Sequence, residues 1–459
     1  MKHIFILFAV FLVPLLCFAQ KEDYVWVMGN NIIDFNTTSP TVRENGDFAP
    51  EPGLTSISDC DGNLVYWLNG TNLYNKNSEL INTDGIITDS DWLAGMTIFP
   101  FPGSENKYIF IYLEKKAYND IGTIHFTVID GSKDILYPEL IRDFATLPYN
   151  SCTPIFIQKK NSRDFWLLHQ VYDMLVVYSF TKDGLSLISK KNLPMENDED
   201  FILGGIYGND VSRSQTKIYF YEVSFLENDI TVYLDFDNVN GIINDITVHQ
   251  GKGEMYLNWV FTSNERFFYF TLYENKTERN NKIFRCPVEK LKEKDALRKY
   301  RSLVYQFPAG QFIEALKMGP DGNIYFINGD NEEYIGVISN PEDDNPNVNP
   351  NGIKLAQTSK TDGWVAMFPY TYHYPFAVSY TRDCHDYTFS FSESEYESIV
   401  WNFGDGTAEV RDVEKPTHTF ADDGKYTVSL TVTLTDGIVR EYSTEVEITT
   451  PKAPVVICE

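Results

Sequence analysis

The sequence predicts an all-β protein in which a six- or seven-bladed β-propeller is followed by a small two-sheet β-sandwich. Three observations predict this fold class. Short β-rich runs, separated by Gly, Asn, Asp and Pro clusters, recur along most of the chain. Long helical patterns are scarce, and the best one, residues 288–301, is short. Residues 426–435 alternate apolar and hydroxyl side chains without interruption, as a half-buried antiparallel strand does.

Six similar units carry the propeller prediction. Each opens with a small, apolar strand, passes through a polar turn and continues into a strongly aromatic strand. The units begin near Gly53, Leu93, Ser151, Ile202, Met255 and Phe312. Four antiparallel strands per unit, repeated six or seven times, are typical of a propeller, whose blades bury their faces against neighbouring blades. A pair of stacked β-sandwiches is the competing interpretation, but it accounts less well for six similar units.

The ring of a propeller must close, because an end blade would otherwise expose one apolar face. Tyr24–Met28 at the front of the chain is predicted to complete the last blade together with Trp364–Phe368. The predicted propeller domain spans residues 21–372. Within it, residues 288–301 predict one helix, since Glu, Lys, Leu and Ala recur there at helical spacing.

Residues 1–20 have the pattern of a signal peptide. Lys2 and His3 precede an apolar run from Ile4 to Phe18, and Ala19 supplies a small residue near the cleavage site. The run is too short to predict a membrane span, and no other stretch is long and apolar enough. The protein is therefore predicted to be exported to the periplasm, the cell surface or the extracellular space, without membrane insertion.

The acidic composition argues against a nucleic-acid partner and is compatible with bound calcium. The formal net charge is −27, whereas a protein that binds nucleic acid needs basic clusters for the phosphates. No nucleic-acid partner is expected. No cofactor is predicted, with calcium as an open alternative. The oxygen-rich loops Asp59–Asn63 and Glu342–Asn345 are its candidates, although neither has the spacing of an EF-hand.

The region after the propeller carries a specific motif. It consists of Trp401–Thr407, Pro416–Phe420 and Gly424–Val432, where Trp401 supplies the large core aromatic that a small sandwich needs. The motif closely resembles the PKD domain, an immunoglobulin-like β-sandwich of extracellular proteins, over residues 376–450. Residues 451–459 are a C-terminal tail. Asn402 stands where the family usually has Asp.

The resemblance implies a spacer or interaction module rather than an enzyme. It also implies structural roles for the residues that match the motif. These residues are Trp401, Phe403, Gly404, Asp405, Gly406, His418, Gly424 and Tyr426.

A second resemblance covers most of the chain more loosely. Trp26–Asn31 and Ile57–Trp67 resemble the start of a group of exported proteins from the Bacteroidetes, and Met318–Tyr325 fits the same pattern. In that group a propeller-like repeat region precedes a PKD domain. The resemblance implies the same order of domains here.

No catalytic signature is present: the sequence lacks a nucleophile elbow, a zinc-protease motif, a P-loop and a dinucleotide fingerprint. Paired carboxylates of a glycosidase cannot be identified from sequence, since they depend on distances. Most aromatic residues of a propeller pack between blades, but a few near turns could stack on sugar rings. Trp67, Tyr74 and Trp92 are the candidates for glycan contact.

These observations favour a non-enzymatic, exported binding or scaffold protein. The propeller would recognise an extracellular protein or glycan, and the PKD domain would act as spacer or interaction module. The alternative is a carbohydrate-active hydrolase or lyase that uses acidic residues at the propeller centre, with the PKD domain as accessory module.

Overall fold

The structure is a computed structural model, and the chain divides into two compact units, Lys21–Phe376 and Ala377–Glu459 together with Met1–Gln20. The described residues are 17–18, 21, 23–37, 39–48, 54–59, 62–70, 72–81, 97–102, 104, 107–114, 122–131, 139–149, 154–159, 164–171, 174–194, 206–222, 230–251, 254–273, 281–308, 311–329, 331, 333–357, 379–383, 386–391, 396–434 and 439–448. Among these residues, no helix is long and apolar enough to span a membrane.

The described residues of the larger unit form seven antiparallel sheets, each built from strands that are consecutive in the chain. After β1 (Cys17–Phe18), which belongs to the other unit, sheet 1 has β2 (Val25–Met28), β3 (Asn31–Asp34) and β4 (Thr41–Glu44), and sheet 2 has β5 (Thr55–Ser58), β6 (Leu64–Asn69) and β7 (Asn72–Asn75). Sheet 3 has β8 (Thr97–Pro100), β9 (Lys107–Glu114), β10 (Gly122–Asp130) and β11 (Glu139–Tyr149), and sheet 4 has β12 (Ile155–Gln158), β13 (Phe165–Val171), β14 (Met174–Thr181) and β15 (Gly184–Asn192).

The remaining three sheets of this unit have four strands each. Sheet 5 has β16 (Ile206–Val211), β17 (Lys217–Glu222), β18 (Ile230–Asp237) and β19 (Ile242–Gln250), and sheet 6 has β20 (Met255–Phe261), β21 (Phe267–Tyr273), β22 (Lys282–Pro287) and β23 (Ser302–Gln306). Sheet 7 has β24 (Ile313–Met318), β25 (Ile324–Asn328), β26 (Tyr334–Ser339) and β27 (Asn347–Lys354).

Apolar clusters join each sheet to the next and close the ring. Separate clusters lie between sheets 1 and 2, 2 and 3, 3 and 4, 4 and 5, 5 and 6, and 6 and 7. A seventh cluster joins sheet 7 back to sheet 1, where the ring of Trp26 meets that of Tyr325 edge-on at 5.4 Å. Seven sheets that bury their faces against both neighbours form a seven-bladed β-propeller, which confirms the predicted fold class.

The six predicted unit starts lie at or just before the first strands of sheets 2 to 7. The front strand β2 pairs with β3 in sheet 1, where the chain reverses through Gly29, whose φ is 58°. Trp364–Phe368, its predicted partner in the blade that closes the ring, lies outside the described residues. That pairing stays a prediction.

The predicted helix over residues 288–301 is two short pieces, a 3-10 helix at Val288–Lys290 and an α-helix, α1, at Ala296–Lys299. The reason for the break is local. Asp295, which precedes α1, is left-handed with a φ of 61°, a conformation that an α-helix cannot continue through. The buried side chains of both pieces pack on the cluster between sheets 5 and 6, which also holds the free thiol of Cys286.

The smaller unit consists of two sheets. One has the order β1-β34-β33-β30-β31 and the other β28-β29-β32. Their strands are β28 (Ser379–Asp383), β29 (Asp386–Ser390), β30 (Tyr396–Asn402), β31 (Val410–Arg411), β32 (Thr417–Thr419), β33 (Gly424–Leu434) and β34 (Val439–Ile448). The predicted alternation in β33 is confirmed, since Val428, Leu430 and Val432 are fully buried whereas Thr427 is exposed. The predicted turn at residues 436–437 lies outside the described residues.

Candidate functional site

The first strand of each sheet lies at the centre of the ring. Neighbouring first strands contact one another directly, as β2 does with β5, β5 with β8, and β20 with both β16 and β24. The last strands are far more exposed, as the burial pattern of β15 illustrates. A polar side chain that leaves a first strand on its open face therefore points into the central channel.

Charged residues from three sheets converge in this channel. Asp210 lies on β16 and Lys317 on β24, while Asp23 and Tyr24 directly precede β2 and Arg213 follows β16. Lys317 is within electrostatic range of Asp210 and Asp23, and Arg213 is within range of Asp23 and Tyr24. Because sheet 6 separates sheet 5 from sheet 7, Asp210 and Lys317 can approach each other only across the channel, whereas sheets 7 and 1 are neighbours. The five residues are called the channel cluster below.

Hydrogen bonds and ring contacts hold the cluster from the neighbouring sheets. The backbone N–H of Phe261, on β20, donates to Asp210 Oδ2 at 2.7 Å. Arg213 Nη1 donates to Ser263 Oγ at 2.8 Å. Lys317 Nζ lies 5.3 Å from the centre of the Trp26 ring, a cation–π contact between sheets 7 and 1. These contacts hold the charged groups of Asp210, Arg213 and Lys317 in place without a ligand.

The pKa values of this cluster are moved by burial. Burial raises the pKa of Asp210 to about 7, although the N–H of Phe261 and the charge of Lys317 oppose the shift. Burial lowers the pKa of Lys317 to about 8, against the opposing effect of Asp23 and Asp210. Both side chains nevertheless stay partly exposed, as expected for residues that line a narrow channel. Lys317 can donate hydrogen bonds to a ligand, and Asp210 can accept them when it is ionised and donate one when it is protonated.

Sequence reasoning missed the whole channel cluster. A signal for two of its members was present, because Asp210 and Lys317 are charged residues inside the first strands of predicted units. A propeller puts such positions at the ring centre. The convergence of the cluster depends on ring closure, which joins residues far apart in the chain.

The two candidate calcium loops are occupied by protein contacts. The carboxylate of Asp59 accepts from the backbone N–H of Asn63 at 2.8 Å and from its side chain. In the second loop, the guanidinium of Arg285 donates to the carbonyl oxygens of Asp343 and Asp344 at 2.5 and 2.6 Å. No group of three or more metal-ligating side chains is found among the described residues. Calcium binding stays a prediction.

The three candidates for glycan contact differ in their surroundings. Trp67 is fully buried and stacks on Tyr74 with ring centres 4.3 Å apart, within the contact between sheets 1 and 2. It has no exposed ring face in this structure. Tyr74 is partly exposed, and Trp92 lies outside the described residues. Glycan contact stays a prediction for these positions.

The motif residues of the smaller unit lie in and around its core. Trp401 is fully buried, and its Nε1 donates to the carbonyl oxygen of Val413 at 2.9 Å. Phe403 is buried and stacks on His418 with ring centres 3.9 Å apart. Tyr426 stacks on Phe420 at 4.7 Å. Their structural roles were predicted from the resemblance, and these contacts are those that such roles require.

Two of the three motif glycines have a backbone conformation that favours glycine. Gly404 and Gly406 have φ values of 73° and 84°, in the region that favours glycine. Gly424 begins β33, and a Cβ there would lie 3.5 Å from the ring of Tyr426, an ordinary contact.

Asp405 connects the motif's turn to β32. Its Oδ2 lies 2.6 Å from His418 Nε2, and its Oδ1 accepts from the hydroxyl of Thr407 at 2.6 Å. Burial raises the pKa of the Asp405 carboxyl, but the hydrogen bonds from Thr407 and His418 outweigh it and lower the pKa to about 2. The ionised carboxylate therefore stabilises the fold above the unfolded-state pKa of about 4.

Asp405→Asn is expected to lower the stability of this unit at neutral pH by about 1–2 kcal/mol, because the bond to His418 is lost and the bonds from Thr407 to Oδ1 lose their charge assistance. The difference from the wild type should shrink as the pH falls from about 4 towards 2, where the native carboxylate becomes protonated. Urea unfolding between pH 2.5 and pH 7 measures it, with exposed Asp422→Asn as control. A difference that stays constant over this range would contradict the assignment.

The comparisons with known proteins agree with the architecture of the smaller unit. Residues 380–450 match the family model described as PKD domain, so the predicted resemblance is confirmed over this region. The PKD1 domain of Epp from Vibrio anguillarum is 24% identical and covers 16% of this chain and 90% of its own, with a TM-score of 0.15. No curated protein matches the chain.

Solved structures similar to the larger part of the chain are more distant. A protein from Lactobacillus plantarum is 12% identical and covers 71% of this chain and 91% of its own, with a TM-score of 0.40. The WD40 domain of SCAP from fission yeast is 10% identical and covers 95% and 88%, with a TM-score of 0.31. The seven sheets and their closed ring, rather than these similarities, identify the larger unit as a propeller.

Proposed function

We propose that this chain is an exported, non-enzymatic binding or scaffold protein. Its propeller recognises an extracellular protein or glycan, and its PKD domain acts as spacer or interaction module. Export is proposed on the signal-peptide pattern of residues 1–20. The domain order is that of the Bacteroidetes group that the sequence resembles.

The channel cluster is the observation that carries this proposal. It brings two cations, Lys317 and Arg213, and two carboxylates, Asp23 and Asp210, to the centre of a closed ring. Few but convergent polar groups in a concave apolar frame are what a binding site needs for orientation and specificity. A PKD domain, in turn, belongs to a type of module that serves interaction or spacing.

A second candidate is a carbohydrate-active hydrolase or lyase with the PKD domain as accessory module. The pKa of Asp210, about 7, favours it, because a general acid works best when its pKa lies near the working pH. Glycoside hydrolysis also requires a second carboxylate on the opposite side of the substrate. Asp23, which precedes β2, is the other carboxylate of the cluster, and both it and Asp210 are within electrostatic range of Lys317.

A screen of the protein comprising residues 21–459 against glycan and protein arrays, with and without calcium, tests both candidates. Binding without change of the ligand is expected, and product analysis by mass spectrometry follows every positive result. Cleavage that Asp210→Asn abolishes would replace the binding function with the enzymatic one. An absence of binding to any glycan or protein would contradict the proposal, and loss of binding without calcium would assign calcium as a cofactor.

A further inference from the structure

We infer that the channel cluster binds a neutral sugar residue at the end of a glycan chain through two neighbouring hydroxyl groups. One hydroxyl oxygen accepts from Lys317 Nζ, and the other hydroxyl donates to the carboxylate of Asp210. The inference rests on the proposed binding function and names the ligand class of its central site.

A gap separates the opposite charges of Asp210 and Lys317 in the channel. Asp210 on sheet 5 and Lys317 on sheet 7 are close enough to influence each other's charge. They form no ion pair within 4.0 Å, although both are described residues. Sheet 6 separates their strands, so the two groups face each other across the channel. A group that both accepts and donates can bridge this gap, and a pair of neighbouring hydroxyls does so.

Both charged groups can still form hydrogen bonds with a ligand. An ammonium group has three donors, and among the described residues no oxygen lies within hydrogen-bond distance of Lys317 Nζ. The ammonium group lies over the ring of Trp26, 5.3 Å from its centre. Asp210 accepts from the backbone N–H groups of Phe261 and Val211. A carboxylate has about four acceptor sites, so it retains capacity for a ligand hydroxyl.

Charge also limits the ligand. The two cations of the cluster already face Asp23 and Asp210, and the guanidinium is also within range of Asp321 and Glu342. An anionic ligand, such as the carboxylate of a peptide C-terminus, would add to this excess of carboxylates, and a cationic ligand would meet the lysine ammonium, whose donors need an acceptor. Sugar hydroxyls satisfy the ammonium and the carboxylate together without adding charge. Their loss would leave both groups unsatisfied, so that the site would be selective.

The test uses the protein comprising residues 21–459 and defined small probes. Methyl glycosides of glucose, galactose and mannose are titrated by ligand-detected NMR, next to galacturonate, glucosamine and a dipeptide with a free C-terminus. At least one neutral glycoside is expected to bind, and to bind more tightly than the charged probes. Lys317→Met and Asp210→Asn should each weaken its binding about ten- to a hundredfold, since each removes a hydrogen bond to a charged group.

Two matched variants serve as controls. Lys354→Met and Asp245→Asn remove the same charges from exposed positions on β27 and β19, the outermost strands of the same two sheets. They should leave binding unchanged. A measurement without substitution backs the variants: a bound glycoside should protect Lys317, but not Lys354, from acetylation, as read by mass spectrometry.

Several outcomes would overturn the inference. They are binding of none of the neutral glycosides, preference for a charged probe, binding that Lys317→Met leaves unchanged, or acetylation of Lys317 that no glycoside slows. Failure of this inference is distinguishable from failure of the proposed function. If array ligands still bind the Lys317→Met protein as they bind the wild type, the binding function stands and only its location in the channel is wrong.

Discussion

Gly404→Ala is expected to destabilise the PKD domain by about 2–4 kcal/mol. This loss is the sum of the cost of a left-handed backbone at alanine and the cost of a steric clash of its Cβ. The φ of Gly404 is 73°, and a Cβ at this position would lie 2.3 Å from the carbonyl oxygen of Thr427. That oxygen belongs to the backbone of β33 and cannot rotate away as a side chain could. Relief of the clash would require the turn to move away from β33. Urea unfolding of the domain measures the loss.

Gly406→Ala is the matched control, two residues further in the same turn. Its φ is 84°, but a Cβ there would have no neighbour within 4 Å. Only the backbone term remains, so the expected loss is about 1–2 kcal/mol. Equal losses for the two variants would show that the approach of Thr427 contributes nothing. A larger loss for Gly404→Ala would show that the carbonyl oxygen of Thr427 adds a steric cost to the backbone cost that both variants share.

Most of the fold could be predicted from the sequence because its elements are local and repetitive. Each blade is a meander whose strands are consecutive, so the recurring pattern marked the first strands of sheets 2 to 7. The half-buried strand β33 was visible because its alternation follows the pleat. None of the six unit starts marked sheet 1, because Tyr24–Met28 was assigned to the blade that closes the ring.

The candidate site could not be predicted, because it depends on contacts between distant segments. Asp23 and Lys317 belong to the first and last sheets, and only ring closure brings them together. Aromatic exposure had the same limit. Trp67 follows a turn in the sequence, but its ring is buried in the contact between sheets 1 and 2, which alternation within one strand does not encode. Sequence patterns specify which face of a strand is apolar, not which partner covers it.

Asn31→Ala is expected to destabilise the propeller by about 3–5 kcal/mol, because three backbone groups lose their hydrogen-bond partner. Asn31 is fully buried at the start of β3. Its Oδ1 accepts from the backbone N–H groups of Ala356 and Gln357 at 3.0 and 3.1 Å, and its Nδ2 donates to the carbonyl oxygen of Gln357 at 3.0 Å. This single side chain therefore joins sheet 1 to the segment that follows β27 of sheet 7.

Two further substitutions separate ring closure from the general effect of removing an asparagine. Asn351→Ala removes an exposed amide that accepts only from Asn331, and its expected cost is below about 0.5 kcal/mol. Asn31→Asp keeps the acceptor for Ala356 and Gln357 but replaces the donor, so an intermediate loss is expected. Thermal unfolding ranks the three variants. A loss for Asn31→Ala no larger than for Asn351→Ala would mean that the apolar cluster between sheets 7 and 1 closes the ring alone.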